Sequence, residues 1–377
     1  MKQYATIESP VYYGNLKLKN RIIFAPTTLG LRENEYIEKI ESIAKGGCAM
    51  IIIGDVPVGN SHFGHSLFSK KGFQYYQKIT KTAHRYNCRV CAQLHQNDTN
   101  FKGMFKYIPK MITGKMTAMD LRKVVNEQTG KYISSLSISE IRKITNSFGS
   151  AAVQAVKAGF DMVQVHGDRM CGSFSSSLFN TRSDLYGGDV QKRTLFAVEA
   201  VQAIHTSVPN IPIDYKLAIR QENPDYGKAG ILPEEISVFV PALEKAGVSS
   251  FHVALANHGN LSDTIPPFDH PEFGGEGCFL KFCDQVKNYT NLPICGVGGL
   301  TDPDFIEEQL LSGRINCAAM SRQLIADPEW VNKLISGNIK SIHRCIRCNK
   351  KCLGGMYEHK GVHCIYENSS HEKKGNL

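Results

Sequence analysis

Short apolar runs alternate with amphipathic stretches along most of the chain. The runs at 21–25 (RIIFA), 49–53 (AMIII), 89–94 (RVCAQL), 162–166 (MVQVH), 213–219 (IDYKLAI), 250–254 (SFHVA), 293–297 (PICGV) and 317–320 (CAAM) predict eight strands. Each is short and without sustained alternation, the pattern of parallel strands buried on both faces. Between most of them the apolar positions recur at helical spacing, with readable ends. Ser137 and Glu140 form a capping box before IRKITNSFGSAAVQAVKAG, and Pro233 and Pro303 occupy first-turn positions, the second behind Asp302. AKGG, KAGF, KAGV and LSGR supply the glycines that close helices.

Eight strand–helix units within about 330 residues, without a break in composition, predict one α/β domain of the (β/α)8 TIM-barrel class over residues 1–340. A doubly wound open sheet would need a glycine-rich turn after its first strand, and Pro26-Thr27-Thr28 stands there instead. Longer spacings at 96–135 and 257–277 mark insertions after the third and sixth strands, on the face where barrel enzymes keep their active sites. Residues 341–377 are expected to form a small C-terminal module ending in a frayed tail.

Composition narrows the function. Of 377 residues, 42% are hydrophobic and 21% charged, which excludes disordered, collagenous and coiled-coil chains. The longest strictly apolar run is 48–53, far below the roughly twenty residues of a membrane span. The N-terminus lacks the apolar core of a signal peptide, so the protein is expected in the cytoplasm. The net charge of +9 favours an anionic ligand. No basic block or aromatic-interleaved basic stripe supports nucleic-acid binding.

Twelve cysteines in a reducing compartment are not a disulfide framework. Four of them crowd near the end as Cys345-x2-Cys348-x3-Cys352-x11-Cys364. Zinc sites show two paired knuckles a dozen or more residues apart; a tight triplet with one distant thiolate better suits a [4Fe–4S] cluster. Arg344, Arg347, Lys350 and Lys351 beside these thiols would offset cluster charge or face an acidic electron donor, the alternative being plain solvated residues. At the other chemical hot spot, GVGGL (296–300) and Ser321-Arg322 follow the last two strands, where barrels bind phosphate with backbone N–H groups and an arginine.

LKNRIIFAPTTLG, AQLH, FDMVQVH, NTRSDLYGGDVQKR, GVGGL, SRQLIADP and the four-cysteine segment together resemble the old yellow enzyme family of flavin-dependent ene-reductases. Within it they are most similar to the iron–sulfur branch of 2,4-dienoyl-CoA reductase and trimethylamine dehydrogenase. The resemblance implies FMN. Pro26, Thr27 and Thr28 match the segment under the flavin ring, Gly54 a position where bulk would strike it, and Gln93 the amide that reads its pyrimidine edge. Lys216 matches the cation near flavin N1, and Gly298, Gly299, Ser321 and Arg322 match the phosphate cradle. Larger members of the branch continue into nucleotide-binding domains. The resemblance therefore implies an external electron donor here: ferredoxin, a flavodoxin-like protein or a separate NAD(P)H oxidoreductase.

One segment departs from the family. After the fourth strand come His166-Gly167-Asp168-Arg169-Met170-Cys171, where the branch normally places a His/Asn pair and then a proton-donating Tyr. His166 matches the first of the pair, Arg169 replaces the second, and Cys171 stands in place of the Tyr. Asp168 and Arg169 then become candidates for protonation and for binding a carbonyl or carboxylate, the alternative being a structural ion pair. His258 matches the catalytic His of dienoyl-CoA reductases and is a second acid candidate. The His-Gly-Asp-Arg signature resembles that of the bilirubin-reducing subfamily from gut bacteria, which implies reduction of conjugated methine bridges. Dienoyl-CoA, enoate and enone-steroid reduction, or a purely electron-transferring subunit, remain the alternatives.

Overall fold

The computed structural model of the protein describes residues 4–61, 64–99, 105–256 and 259–367. An antiparallel hairpin, β1 (Val11–Tyr13) and β2 (Leu16–Leu18), precedes eight parallel strands: β3 (Ile22–Phe24), β4 (Met50–Pro57), β5 (Arg89–His95), β6 (Met162–His166), β7 (Ile213–Ile219), β8 (Ser250–Leu255), β9 (Ile294–Val297) and β10 (Cys317–Met320). They pair in chain order, and β10 pairs back with β3, closing the barrel. The expected (β/α)8 class is therefore observed.

Side-chain alternation along each strand divides the apolar residues into two cores. Ile22, Phe24, Ile51, Ile53, Val90, Ala92 and Val163 point outward beneath the surrounding helices. Ile23, Met50, Ile52, Cys91, Met162, Cys295, Cys317 and Ala319 fill the lumen, and Tyr13, Leu16 and Leu18 of the hairpin stop its lower end. This accounts for several of the scattered cysteines, which serve as small apolar packing residues. The helix Ile138–Lys157 starts at the anticipated box: Ser137 Oγ accepts from Glu140 N (3.2 Å) and Glu140 Oε2 from Ser137 N (2.8 Å). Burial of its Ile141 and Phe148 contributes about 2 kcal/mol each.

The insertion after β5 carries helices Ile108–Ile112 and Ala118–Ser135. The insertion after β8 runs over the upper mouth of the barrel. Residues 343–366 return to the same mouth, where Cys345, Arg347, Cys352, Leu353, Met356 and Val362 line its central cavity. No helix among the described residues is long and apolar enough to cross a membrane.

Candidate active site

A cavity of about 450 Å³ opens at the C-terminal end of the strands. Two tiers of inward-pointing residues from four adjacent strands lie at and beneath its floor, of which Gln93, His166, Lys216 and His252 line it. In the lower tier Gln93, Gln164, Asp214 and Ser250 stand side by side in register. Gln93 Nε2 donates to Gln164 Oε1 (2.6 Å), Gln164 Nε2 to Asp214 Oδ2 (2.5 Å), and Ser250 Oγ to Asp214 Oδ1 (2.5 Å). A carboxylate only accepts, so Asp214 forces Gln164 to turn its amide NH2 toward it and its oxygen toward Gln93. Gln93 in turn must give its NH2 to Gln164. Its oxygen is left to accept from Asp55 N (3.4 Å) at the cavity edge. Burial raises the Asp214 carboxyl to about 6 despite these two donors.

The upper tier, two residues further along each strand, consists of His95, His166, Lys216 and His252. Burial holds all three imidazoles below their usual range, His252 at about 3, with Lys216 adding repulsion at His166 and His252. His166 Nδ1 accepts from Asp168 N (3.3 Å), so the neutral ring carries its proton on Nε2, 3.9 Å from Asp55 Oδ1. The Lys216 ammonium is lowered by burial and partly restored by Asp168 and Asp55. Among the described residues, His95 Nδ1 and His252 Nδ1 are buried without a hydrogen-bond partner.

His166, Asp168 and Arg169 all line the cavity. Gly167 is required between them: a Cβ there would collide with the Lys216 carbonyl of the neighbouring strand. Arg169 is not a free cation, because Asp55, Asp98 and Asp168 all face it and hold its guanidinium charged against the cost of burial. Asp55, which sequence reasoning passed over, follows Gly54 in the left-handed region (φ 54°) and accepts from Thr28 Oγ1 (2.7 Å). Its carboxyl lies far below the usual range: burial opposes ionisation, but His95, Arg169, His166 and the Thr28 bond outweigh it. Cys171 does not reach the cavity. It sits in the core beside Tyr215, and burial pushes its thiol up to about 12, so it does not replace a phenol donor. His258 lies outside the described residues.

The residues matched to a flavin are brought together. Pro26, Thr27, Thr28, Gly54, Gln93 and Lys216 line the floor, with Gly298, Gly299, Ser321 and Arg322 at one end. Thr27 Oγ1 donates to Ser321 Oγ (2.7 Å), joining the first and last strands. Gly298 and Gly299 have φ of 109° and 65°, a turn that leaves their backbone open to a ligand. Arg322 lines this end and also a second, smaller cavity behind it, which all four of Cys345, Cys348, Cys352 and Cys364 surround. Among the described residues, no three His, Cys, Asp or Glu side chains converge as they would around a single metal ion. The basic residues near the thiols differ from expectation. Arg347 is buried and bonded to the Gly274 and Gly275 carbonyls, Arg344 is exposed but pairs with Asp302 (2.8 Å), and Lys350 and Lys351 lie exposed.

A closed barrel whose mouth gathers a flavin-sized cavity and these residues defines a flavin oxidoreductase. The chain belongs to the NADH:flavin oxidoreductase / NADH oxidase family, whose sequence profile matches residues 7–340. It is 59% identical to the bilirubin reductase of Clostridium symbiosum, over 97% of this chain and 98% of that one. It is 32% identical to the bilirubin reductase of Mediterraneibacter gnavus, over 94% of this chain but 56% of that longer one. Among solved structures, histamine dehydrogenase from Rhizobium sp. 4-9 superposes with a TM-score of 0.78 at 20% identity, covering 97% of this chain and 52% of that chain. That last likeness speaks for the fold alone.

Proposed function

We propose that the protein is an FMN- and [4Fe–4S]-dependent reductase of conjugated C=C bonds, with bilirubin as substrate and urobilinogen as end product. The observation that carries this reading is the 59% identity, over nearly the whole of both chains, with a bilirubin reductase. The cavity supports it. FMN bound over Pro26, Thr27, Gly54 and Gln93 would supply the hydride, and the open turn at Gly298 and Gly299 with Arg322 suits its phosphate. Lys216, the buried cation of the upper tier, would stabilise negative charge on the bound ring.

Arg169 orients the substrate. With three carboxylates already facing it, it acts as a directed hydrogen-bond donor to a lactam carbonyl rather than as a receptor for a free carboxylate. The neutral His166 offers Nε2–H to the same substrate edge, and Asp168, whose N–H fixes that tautomer and whose side chain is a carboxylate at rest, relays a proton taken up from solvent to the second carbon. Each hydride and proton saturates one C=C bond, so four additions, at two methine bridges and two vinyl groups, lead from bilirubin to urobilinogen. The iron–sulfur assignment rests on four thiols that enclose a cavity instead of a point, as a cluster requires. That cavity opens beside the exposed Ile346, Lys351, Ile365 and Tyr366, where an external donor (ferredoxin, a flavodoxin-like protein or a separate NAD(P)H oxidoreductase) delivers electrons.

The test is an anaerobic assay of the reconstituted protein with a low-potential reductant. Bilirubin should lose its yellow absorption, and Asp168→Asn or Arg169→Gln should cost at least a hundredfold in kcat with flavin content unchanged. A fully flavinated protein that leaves bilirubin intact refutes the reading. Dienoyl-CoA, cinnamate and enone steroids in the same panel decide the alternatives. Electron transfer to a carrier with no alkene reduced would make the protein a relay subunit.

A further inference from the structure

Part of the cavity wall comes from the insertion after β8, through Leu261, Thr264, Ile265 and Pro266. The outer side of this loop is fastened by two residues of the cysteine segment. Asn349 Nδ2 donates to the Ile265 carbonyl (2.7 Å), and Ile265 itself lines the cavity. Arg347 Nη1 donates to Gly275 O (2.8 Å) and Nη2 to Gly274 O, while the Arg347 carbonyl accepts from Phe268 N (3.3 Å). The Arg347 guanidinium also lies 5.5 Å from the Phe268 ring centroid. Arg347 and Asn349 flank Cys348, and both adopt left-handed backbone (φ 51° and 55°), a strain that persists only where surrounding contacts over-determine it. Those contacts are the loop's own carbonyls, so each side constrains the other. Arg322 Nη1 completes the arrangement by donating to Asn349 Oδ1 (2.6 Å), and Gly299 leaves room for the clamp, since a Cβ there would lie 2.7 Å from Arg347 Nη1.

We infer that Arg347 and Asn349 are substrate-positioning residues: they clamp residues 265–275 against the cavity mouth, so the segment that carries the thiols also shapes the pocket that selects the substrate. The inference rests on the reductase reading only for its choice of bilirubin as probe. Two consequences follow from the direction of the hydrogen bonds. Asn349→Asp preserves size and tolerance of left-handed backbone, keeps the partner of Arg322, and replaces the donor to Ile265 with an acceptor that repels it. Arg347→Lys preserves charge but loses the rigid planar fork whose two nitrogens reach the Gly274 and Gly275 carbonyls separately.

The experiment compares these two variants with the parent protein, all loaded with flavin and iron–sulfur cluster. The expected result for each is an increase of tenfold or more in KM for bilirubin, kcat within threefold, and unchanged flavin and iron content. Amide hydrogen exchange should accelerate in peptides spanning 261–275 and stay unchanged in 213–219. Unaltered exchange over 261–275 in a fully loaded Asn349→Asp protein overturns the clamp. So does faster exchange accompanied by an unchanged KM. If the parent protein ignores bilirubin, the reductase reading falls by itself. The exchange data still decide the clamp, and KM is then read with whichever alkene of the panel is reduced.

Discussion

Replacing Asp214 by Asn tests whether a buried carboxylate sets the polarity of the cavity floor. The carboxyl is raised from 3.8 to about 6 by burial. Between those values the native state holds a proton that the unfolded state has released, so stability declines as pH rises through about 4 to 6 and is level above. A difference of about two units corresponds to about 3 kcal/mol of penalty at pH 7.5, of which roughly 1 kcal/mol accrues above pH 5. Asn removes that penalty but must present its own NH2 to one of two donors, leaving a buried donor unmet at a cost of about 1–3 kcal/mol. The two terms cancel at one pH and not at another. Relative to the parent, Asp214→Asn should therefore gain roughly 1 kcal/mol in urea unfolding between pH 5 and pH 7.5. The same change frees Gln164 to flip, which would turn the Gln93 amide toward the cavity with the wrong end. FMN affinity should fall at least tenfold at pH 7.5. Parallel stability curves for the two proteins, together with unchanged flavin affinity, would refute the argument that Asp214 is both a burdened charge and the orienting end of the chain.

Further outcomes follow from the same geometry. A Cβ at Gly54 would meet Thr27 N at 3.4 Å and Gln93 Oε1 at 3.7 Å, ordinary contacts, so Gly54→Leu should fold with unchanged circular dichroism yet lose flavin at least tenfold; full flavin content would remove this residue from the flavin site. Cys352→Ser should lose iron and the broad visible absorption of a cluster while retaining flavin, and intact iron would break the four-thiol assignment. His95, His166 and His252 are all held below their usual range, so the unfolded state takes up their protons first and stability should drop as pH falls below about 6.5. For the same reason, kcat between pH 6 and 8 should show no inflection from His166; one that vanishes in His166→Asn would contradict its neutrality.

The barrel was legible because each strand announces itself by a dense apolar run, and the helix ends by residues with one physical use, such as Ser137 with Glu140 or the left-handed Gly159 and Gly247. That the residues matched to a flavin would meet in one cavity was legible for a related reason: they sit near strand ends that topology must bring together. What escaped was the polar core. The strands read as unalternating, yet four of them contain a polar–apolar–polar triplet: Gln93-Leu94-His95, Gln164-Val165-His166, Asp214-Tyr215-Lys216 and Ser250-Phe251-His252. Each triplet alone is too short for a periodicity argument. Only the register of adjacent strands turns four of them into two continuous tiers. Cys171 failed in the opposite way. Its place after the His-Gly-Asp-Arg signature suggested the cavity, but the helix Met170–Ser175 begins there and turns it inward.

Arg169 shows how the missed residues change the chemistry assigned to those that were found. Read alone, an arginine at the mouth of a basic protein's cavity is an anion receptor. Asp55 and Asp98, which sequence spacing did not connect to it, join Asp168 in facing the guanidinium. Three carboxylates against Arg169 and Lys216 make this corner anionic by one charge, whereas Arg322 stands at the opposite end. A dianionic substrate would then bind with its carboxylates away from Asp55 and its conjugated carbonyl edge toward Arg169 and His166. A cofactor phosphate held at the Arg322 end would occupy that side, so the field that repels substrate carboxylates from one corner and the group at the other would together leave one orientation over the floor. On this argument Asp55→Asn, which keeps the Thr28 bond and the left-handed backbone, lowers discrimination between anionic and neutral alkenes rather than abolishing turnover. A uniform loss of kcat for both classes would return Asp55 to a purely structural place.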